Sequence, residues 1–171
     1  MTNLTLRAGS VADAPAVIGL LDNAMRWLIA EGRTDQWGET LASNIPSRVA
    51  HITRYTDGGD CHIALAGTDV VGALVVGEAI SYVPPATEPE LYVKFLVADR
   101  SRPGLGVGGL LLDHAATLAR QRGLSLLRVD CFRSPDRSLI EFYERHGFTS
   151  TEEFTVDDGK WAGQVLERRL D

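Results

Sequence analysis

One stretch, LYVKFLVADRSRPGLGVGGLLLDHAATLARQRGLSLLRVDC, constrains the fold more than any other part of the chain. LYVKFLVA is β-rich and lies between Pro89 and a charged loop. From Val107 to Arg122, Leu111, Leu112, Ala115, Leu118 and Ala119 recur at helical spacing, and Gly123 closes the run. LSLLRVDC is again strand-like. Strand, helix and strand in this order predict a βαβ unit with parallel strands and a right-handed crossover. Four glycines, Gly104, Gly106, Gly108 and Gly109, fall within six residues between the first strand and the helix, with Arg100 and Arg102 just upstream. Glycine costs roughly 0.5–1 kcal/mol relative to alanine where no special conformation is needed. Such a cluster points to close approach of a ligand to the backbone, and a helix start favours an anion, phosphate above all.

The flanking sequence predicts a mixed sheet. LTLR reads as a short strand, and Ser10 with Asp13 as the two ends of a capping box. Val17, Leu20, Leu21, Ala24 and Leu28 then trace a helix stopped by Gly32. RTDQWGETLASNIPSR is polar and irregular, with a second helix from near Ser47 to before TDGGD. CHIALAGTDVVGALVVGEAI reads as a hairpin about Gly67-Thr68-Asp69, and SYVPPATEPE as a loop. DRSLIEFYERH is a helix closed by Gly147, and FTSTEEFTV and WAGQVLERRL are terminal strands. The hairpin and terminal strands are expected to be antiparallel. The chain therefore reads as α/β (α+β): a mixed, mostly antiparallel sheet of six to seven strands, helices on both faces, and a central parallel βαβ unit. With no repeat, low-complexity tract or linker, residues 1–171 read as a single domain.

Composition narrows the function. A net charge of −6 argues against nucleic acid as a partner. The charge is uneven: Arg100–Arg145 holds eight arginines against five acids, and the remainder is acidic. No apolar run approaches the ~20 residues of a membrane span, and MTNLTLRAGS lacks the core of a secretory signal. Cys61 and Cys131 are isolated, without metal-ligand or redox spacing, so a reducing cytoplasmic setting and no metal are expected.

Gly104, Gly106 and Gly109 spell G-x-G-x-x-G, and Asp130 lies 21 residues beyond Gly109, where a dinucleotide fold keeps its ribose-binding carboxylate. An NAD(P)-binding oxidoreductase is therefore one reading. Against it, Asp99–Pro103 separates Val97 from the first glycine, and 62 residues after Gly109 cannot supply the rest of a doubly wound sheet.

Gly106-Val107-Gly108, followed by Tyr143-x-x-x-Gly147-Phe148, resembles the cofactor-binding half of the GNAT superfamily of N-acetyltransferases over about residues 90–150. The resemblance implies acetyl transfer from acetyl-CoA to a primary amine, by direct attack in a ternary complex. It implies that the pyrophosphate lies on the loop Arg102, Pro103, Gly104, Leu105, Gly106, Val107, Gly108 and Gly109, and that Leu96 and Val97 offer backbone groups to the pantetheine arm. It also implies Tyr143 as proton donor to the CoA thiolate. In two places the chain departs from the family pattern. Pro103 stands where Arg or Gln is usual, with Arg102 one residue early, and Asp136 stands where Asn often precedes the tyrosine. A non-catalytic acyl-CoA sensor on the same fold is the remaining alternative.

An ammonium group must also lose a proton, which calls for a carboxylate or histidine. Glu90 is the first candidate base, with Glu78 beside the amine pocket and His51 a weaker choice. In related enzymes the region after the first helix shapes the acceptor pocket. Here Trp27, Glu31, Asp35 and Trp37 could hold a cation by ring faces and carboxylates. The expected partner is a small-molecule or protein amine, with no nucleic acid and no membrane, and a homodimer is left open.

Overall fold

The structure is a computed structural model and describes residues 3–171. Its elements run β1 (Leu4–Ala8), α1 (Ala14–Ala30), α2 (Pro46–Asp57), β2 (Cys61–Ala66), β3 (Asp69–Gly77), β4 (Leu91–Ala98), α3 (Val107–Gln121), β5 (Leu126–Phe132), α4 (Ser138–Arg145), β6 (Thr149–Val156) and β7 (Trp161–Arg169). The strands hydrogen-bond in the order β1-β2-β3-β4-β5-β7-β6. β4 and β5 run parallel, pairing Leu91–Val93 with Leu127–Val129. The pairs β1–β2, β2–β3, β5–β7 and β6–β7 are antiparallel. This is the mixed, mostly antiparallel sheet with a parallel βαβ unit that the sequence predicts.

Local chemistry sets the element ends. α2 starts at Pro46, one residue earlier than expected, because proline's fixed φ and missing N–H suit the first helical turn. The first helical turn after Ser10, Val11–Asp13, is 3-10 rather than α, and a second 3-10 turn at Ala42–Asn44 occupies a stretch that sequence alone leaves irregular. α4 starts two residues later than expected. The Asp136 carboxylate accepts from the Ser134 hydroxyl at 2.6 Å and the Ser138 N–H at 3.0 Å, and Arg137 takes a left-handed φ of 57°. That side-chain turn holds Asp136 and Arg137 outside the helix.

By contacts the chain forms two compact units, with boundaries inside β3, β4 and α3. The first holds the chain up to Val75 together with Phe95–Leu111. In it Val17, Leu20, Leu21 and Met25 of α1 pack with Ile52 of α2 and with Ile63, Ala73, Val75 and Val97 of the strands. Each fully buried aliphatic chain contributes roughly 1.5–3 kcal/mol. At the entry to α1, Asp13 accepts from the Ser10 N–H at 2.9 Å and from both terminal nitrogens of Arg7 at 2.9 and 2.8 Å. Gly72 of β3 makes room for α3. A Cβ there would stand 2.4 Å from Val107 Cγ1 and 3.0 Å from Leu111 Cδ1.

The second unit comprises Val76–Lys94 and Leu112–Asp171. Val83, Tyr92 and Val165 form a buried cluster flanked by Ile80 and Phe154. Among the described residues no helix is long and apolar enough to cross a membrane.

Candidate active site

In the first unit, β4 carries Leu96 and buried Val97 into the glycine loop. The Asp99 N–H donates to the Val71 carbonyl at 2.8 Å. Its carboxylate accepts from the Ser101 N–H and hydroxyl at 2.9 and 2.6 Å, which fixes the turn. Gly104 and Gly106 have φ of +85° and +74°, a region that favours glycine. Nothing lies within 4 Å of where a Cβ would stand on either one. Gly106 also accepts the Leu110 N–H at 3.0 Å, so α3 begins there with its first-turn N–H groups lacking intrahelical acceptors. Open space above the loop, free N–H donors and the positive end of a 15-residue helix fit a phosphate-bearing ligand. Buried Val107, packed on Gly72, anchors the first turn.

The arginines of this loop are unequal. Arg102 donates to Asp69 at 2.6 Å and lies 3.7 Å from the Asp99 carboxylate, and its hydrogen bond to Asp69 raises its pKa. Arg100 lies 4.1 Å over the Trp27 ring, and Arg33 lies 5.8 Å from the same ring. Trp37 carries Arg48 at 5.4 Å. The tryptophans that the sequence offers as a cation cage thus bear the chain's own guanidinium groups. Glu31 caps the C-terminus of α1, and both it and Asp35 are exposed.

In the second unit, Tyr143 sits on the buried face of α4, 7% exposed. Its ring meets Phe142 and Phe148 edge-on, at 5.1 and 5.6 Å between centroids. Among the described residues its hydroxyl has no hydrogen-bond partner. Burial, then Cys131 and Asp130, push its pKa above the ordinary tyrosine range, so the hydroxyl keeps its proton. A neutral, unpaired O–H is available as a donor.

Glu90 lies where β4 begins, with both carboxylate oxygens bound by Arg128, one of them at 3.1 Å from Nη2. Arg128 also donates to the Pro84 carbonyl at 3.0 Å. Glu78 is exposed just past β3, and the His51 ring lies 4.3 Å from Tyr55. The Tyr92 hydroxyl donates to Asp130, whose pKa burial raises. A carboxylate so engaged is not free for a ribose. Sequence reading missed this polar ladder, although Glu90, just ahead of β4, and Tyr92 on it alternate as Arg128 and Asp130 do on β5, with Tyr92 and Arg128 register partners. Period-two polar residues in otherwise apolar strands were the available signal. Among the described residues no group of three or more His, Cys, Asp or Glu is placed to hold a metal ion.

A model of the acetyltransferase (GNAT) family matches residues 20–148, and the chain belongs to that family. No curated protein matches it in sequence. Among solved structures it is similar to a GCN5-related N-acetyltransferase (aminotransferase, class II) from Rhodopseudomonas palustris, at 23% identity and TM-score 0.73, covering 99% of this chain and 98% of that one. It is similar to Ard1 from Thermoplasma volcanium at 16% identity and TM-score 0.70, covering 98% of each. It is also similar to yncA from Salmonella typhimurium, solved with its cofactor acetyl-CoA, at 19% identity and TM-score 0.64, covering 98% of this chain and 94% of that one.

Proposed function

We propose that this acetyltransferase moves the acetyl group of acetyl-CoA onto a primary amine, by direct attack in a ternary complex. The observation that carries the reading is the open glycine turn at Gly104 and Gly106, running into the N-terminus of α3. Acetyl-CoA supplies an activated thioester. The loop N–H groups bind its pyrophosphate, with Leu96 and Val97 offering backbone groups to the pantetheine arm. Tyr143 donates a hydrogen bond to the departing sulfur. Reference values of ~10 for a phenol and ~8.5 for a thiol already make full proton transfer uphill, and burial widens that gap. The role that fits is hydrogen-bond stabilisation of developing charge.

Arg128 donates to both carboxylate oxygens of Glu90, which occupies that side chain, so proton removal from the ammonium falls to water or to the acceptor's own equilibrium. The acceptor class spans polyamines, amino acids, aminoglycoside-like compounds and protein N-termini. Two buried free cysteines suit a reducing cytoplasm.

Thermal-shift measurements with CoA, acetyl-CoA, NAD and NADP, followed by thiol-release assays over an amine panel, test the reading. Stabilisation by CoA and turnover with at least one amine are expected. Stabilisation by NAD or NADP without CoA would sink it.

A further inference from the structure

Resting on the acetyl-CoA reading above, we infer that Asp130 and the rings of Phe132, Trp161 and Phe154 hold a second, non-reacting ammonium of the acceptor, which makes that acceptor a diamine or longer polyamine. All four residues belong to the second compact unit. Asp130 pairs with Val165, and Phe132 pairs with Gly163, which pairs in turn with Phe154. Register partners share a face of the sheet, and Trp161 lies two residues from Gly163 on the same side. Gly163 joins the rings into a strip. A Cβ there would stand 2.3 Å from Phe154 Cζ, so the Phe154 ring crosses β7 through the place of the missing side chain. Trp161 then lies 5.6 Å from Phe132 and 6.1 Å from Phe154 between centroids. All three rings are only partly buried.

Asp130 stands beside the strip with one oxygen committed. Oδ1 takes the hydroxyl of Tyr92, which is fully buried and holds the carboxylate in place, and among the described residues no other residue donates to this group. Arg128, two positions back on β5, directs its guanidinium to Glu90 and the Pro84 carbonyl. Burial without a bonded cation disfavours the charged form, and the Asp130 pKa is raised accordingly. An ammonium supplies that counter-charge, needs only Oδ2, and is attracted by the same ring faces.

The nitrogen held here is not the one acetylated, because pairing with a carboxylate stabilises the protonated amine, which is no nucleophile. The two nitrogens must still be near each other, since Asp130 acts electrostatically on the Tyr143 hydroxyl. This chemistry separates the acceptor classes. An amino acid brings a carboxylate that Asp130 repels. An aminoglycoside would set hydroxyls against apolar rings. A protein N-terminus carries no fixed second cation. A polyamine offers methylenes to the rings and a charge to Asp130. Exposed Glu152, Asp157 and Asp158 on the β6–β7 hairpin favour the approach of a polycation.

Steady-state thiol-release kinetics with 1,4-diaminobutane, spermidine and n-butylamine test this on wild type, D130N, W161L and Y92F, with calorimetric CoA titration of each. Wild type should prefer diaminobutane to butylamine in kcat/KM by roughly 10–100-fold, the scale of one hydrogen bond to a charged group, and mostly through KM. D130N keeps the shape and removes the charge, so the ratio should fall to near one. W161L and Y92F should each lower it in part, and W161L, changed at a partly exposed ring, carries the test if D130N does not fold. A wild-type ratio near one, or a ratio that survives these substitutions, overturns the ammonium point and leaves the acetyl-CoA reading intact. So does a wild type that binds CoA and acetylates none of the three amines. Absence of CoA binding by wild type overturns both.

Discussion

Tyr143 combines a buried ring with an unpaired hydroxyl, so the two contributions can be separated by one atom. Tyr143→Phe keeps the edge-on packing against Phe142 and Phe148. It should leave the CoA Kd and Tm nearly unchanged while lowering kcat by roughly 10²-fold, the usual scale for one donor to developing charge. Steady-state kinetics with separate CoA titration check this, and full turnover would return the residue to a packing role. Because its pKa is raised, this hydroxyl adds no alkaline loss of activity below its ordinary value of ~10. Tyr143 was legible in the sequence because Tyr-x-x-x-Gly-Phe is a local pattern. Glu90 was legible only as a carboxylate at a strand start. Its partner Arg128 lies 38 positions away, and no local pattern announces a pair set by strand register. Arg102 escaped for the same reason, since Asp69 reaches it from the β2–β3 hairpin.

At the scale of elements, helices and their caps read well because their signals lie within a few residues. Ser10 and Asp13 marked the start of the first helical segment, and the structure adds Arg7 from β1, which sequence spacing did not suggest. The hydrogen bond to Arg7 lowers the Asp13 pKa. A lowered folded-state value contributes stability above the unfolded value of ~3.9 and loses it as pH falls through the folded one. Asp13→Ala should therefore cost about 1–2 kcal/mol at pH 7, and the gap to wild type should close below about pH 4. Urea melts across that range measure it.

The contact between β3 and the first turn of α3 is equally sharp. Gly72→Ala places a methyl 2.4 Å from Val107 Cγ1 and 3.2 Å from the Val97 carbonyl oxygen. Overpacking of this kind costs typically 1–3 kcal/mol. The variant should also bind CoA more weakly, because Val107 anchors the turn whose N–H groups form the cradle. Equal CoA affinity in a destabilised variant would separate packing from binding. Nothing in the sequence distinguished Gly72 from a glycine at a turn, because its requirement comes from a helix 35 residues on.

For the whole molecule, alternation and turn signals pointed to six to seven strands in a mixed sheet, and the structure has seven. The order β5-β7-β6 was beyond hydropathy, since it places the last strand between two earlier ones by long-range pairing alone. Each compact unit contains one cysteine, Cys61 in the first and Cys131 in the second, both buried. Burial pushes the thiols up to about 11 and about 12. Neither is an effective nucleophile near neutral pH, so the protein should be silent in a colorimetric thiol-release assay until it opens. The same property makes the cysteines built-in reporters. Labelling rates of C131S and C61S under native conditions should report the opening free energy of each unit separately. Equal rates with the same denaturant dependence would mean that the two halves open as one cooperative body, and unequal rates would identify the half that yields first.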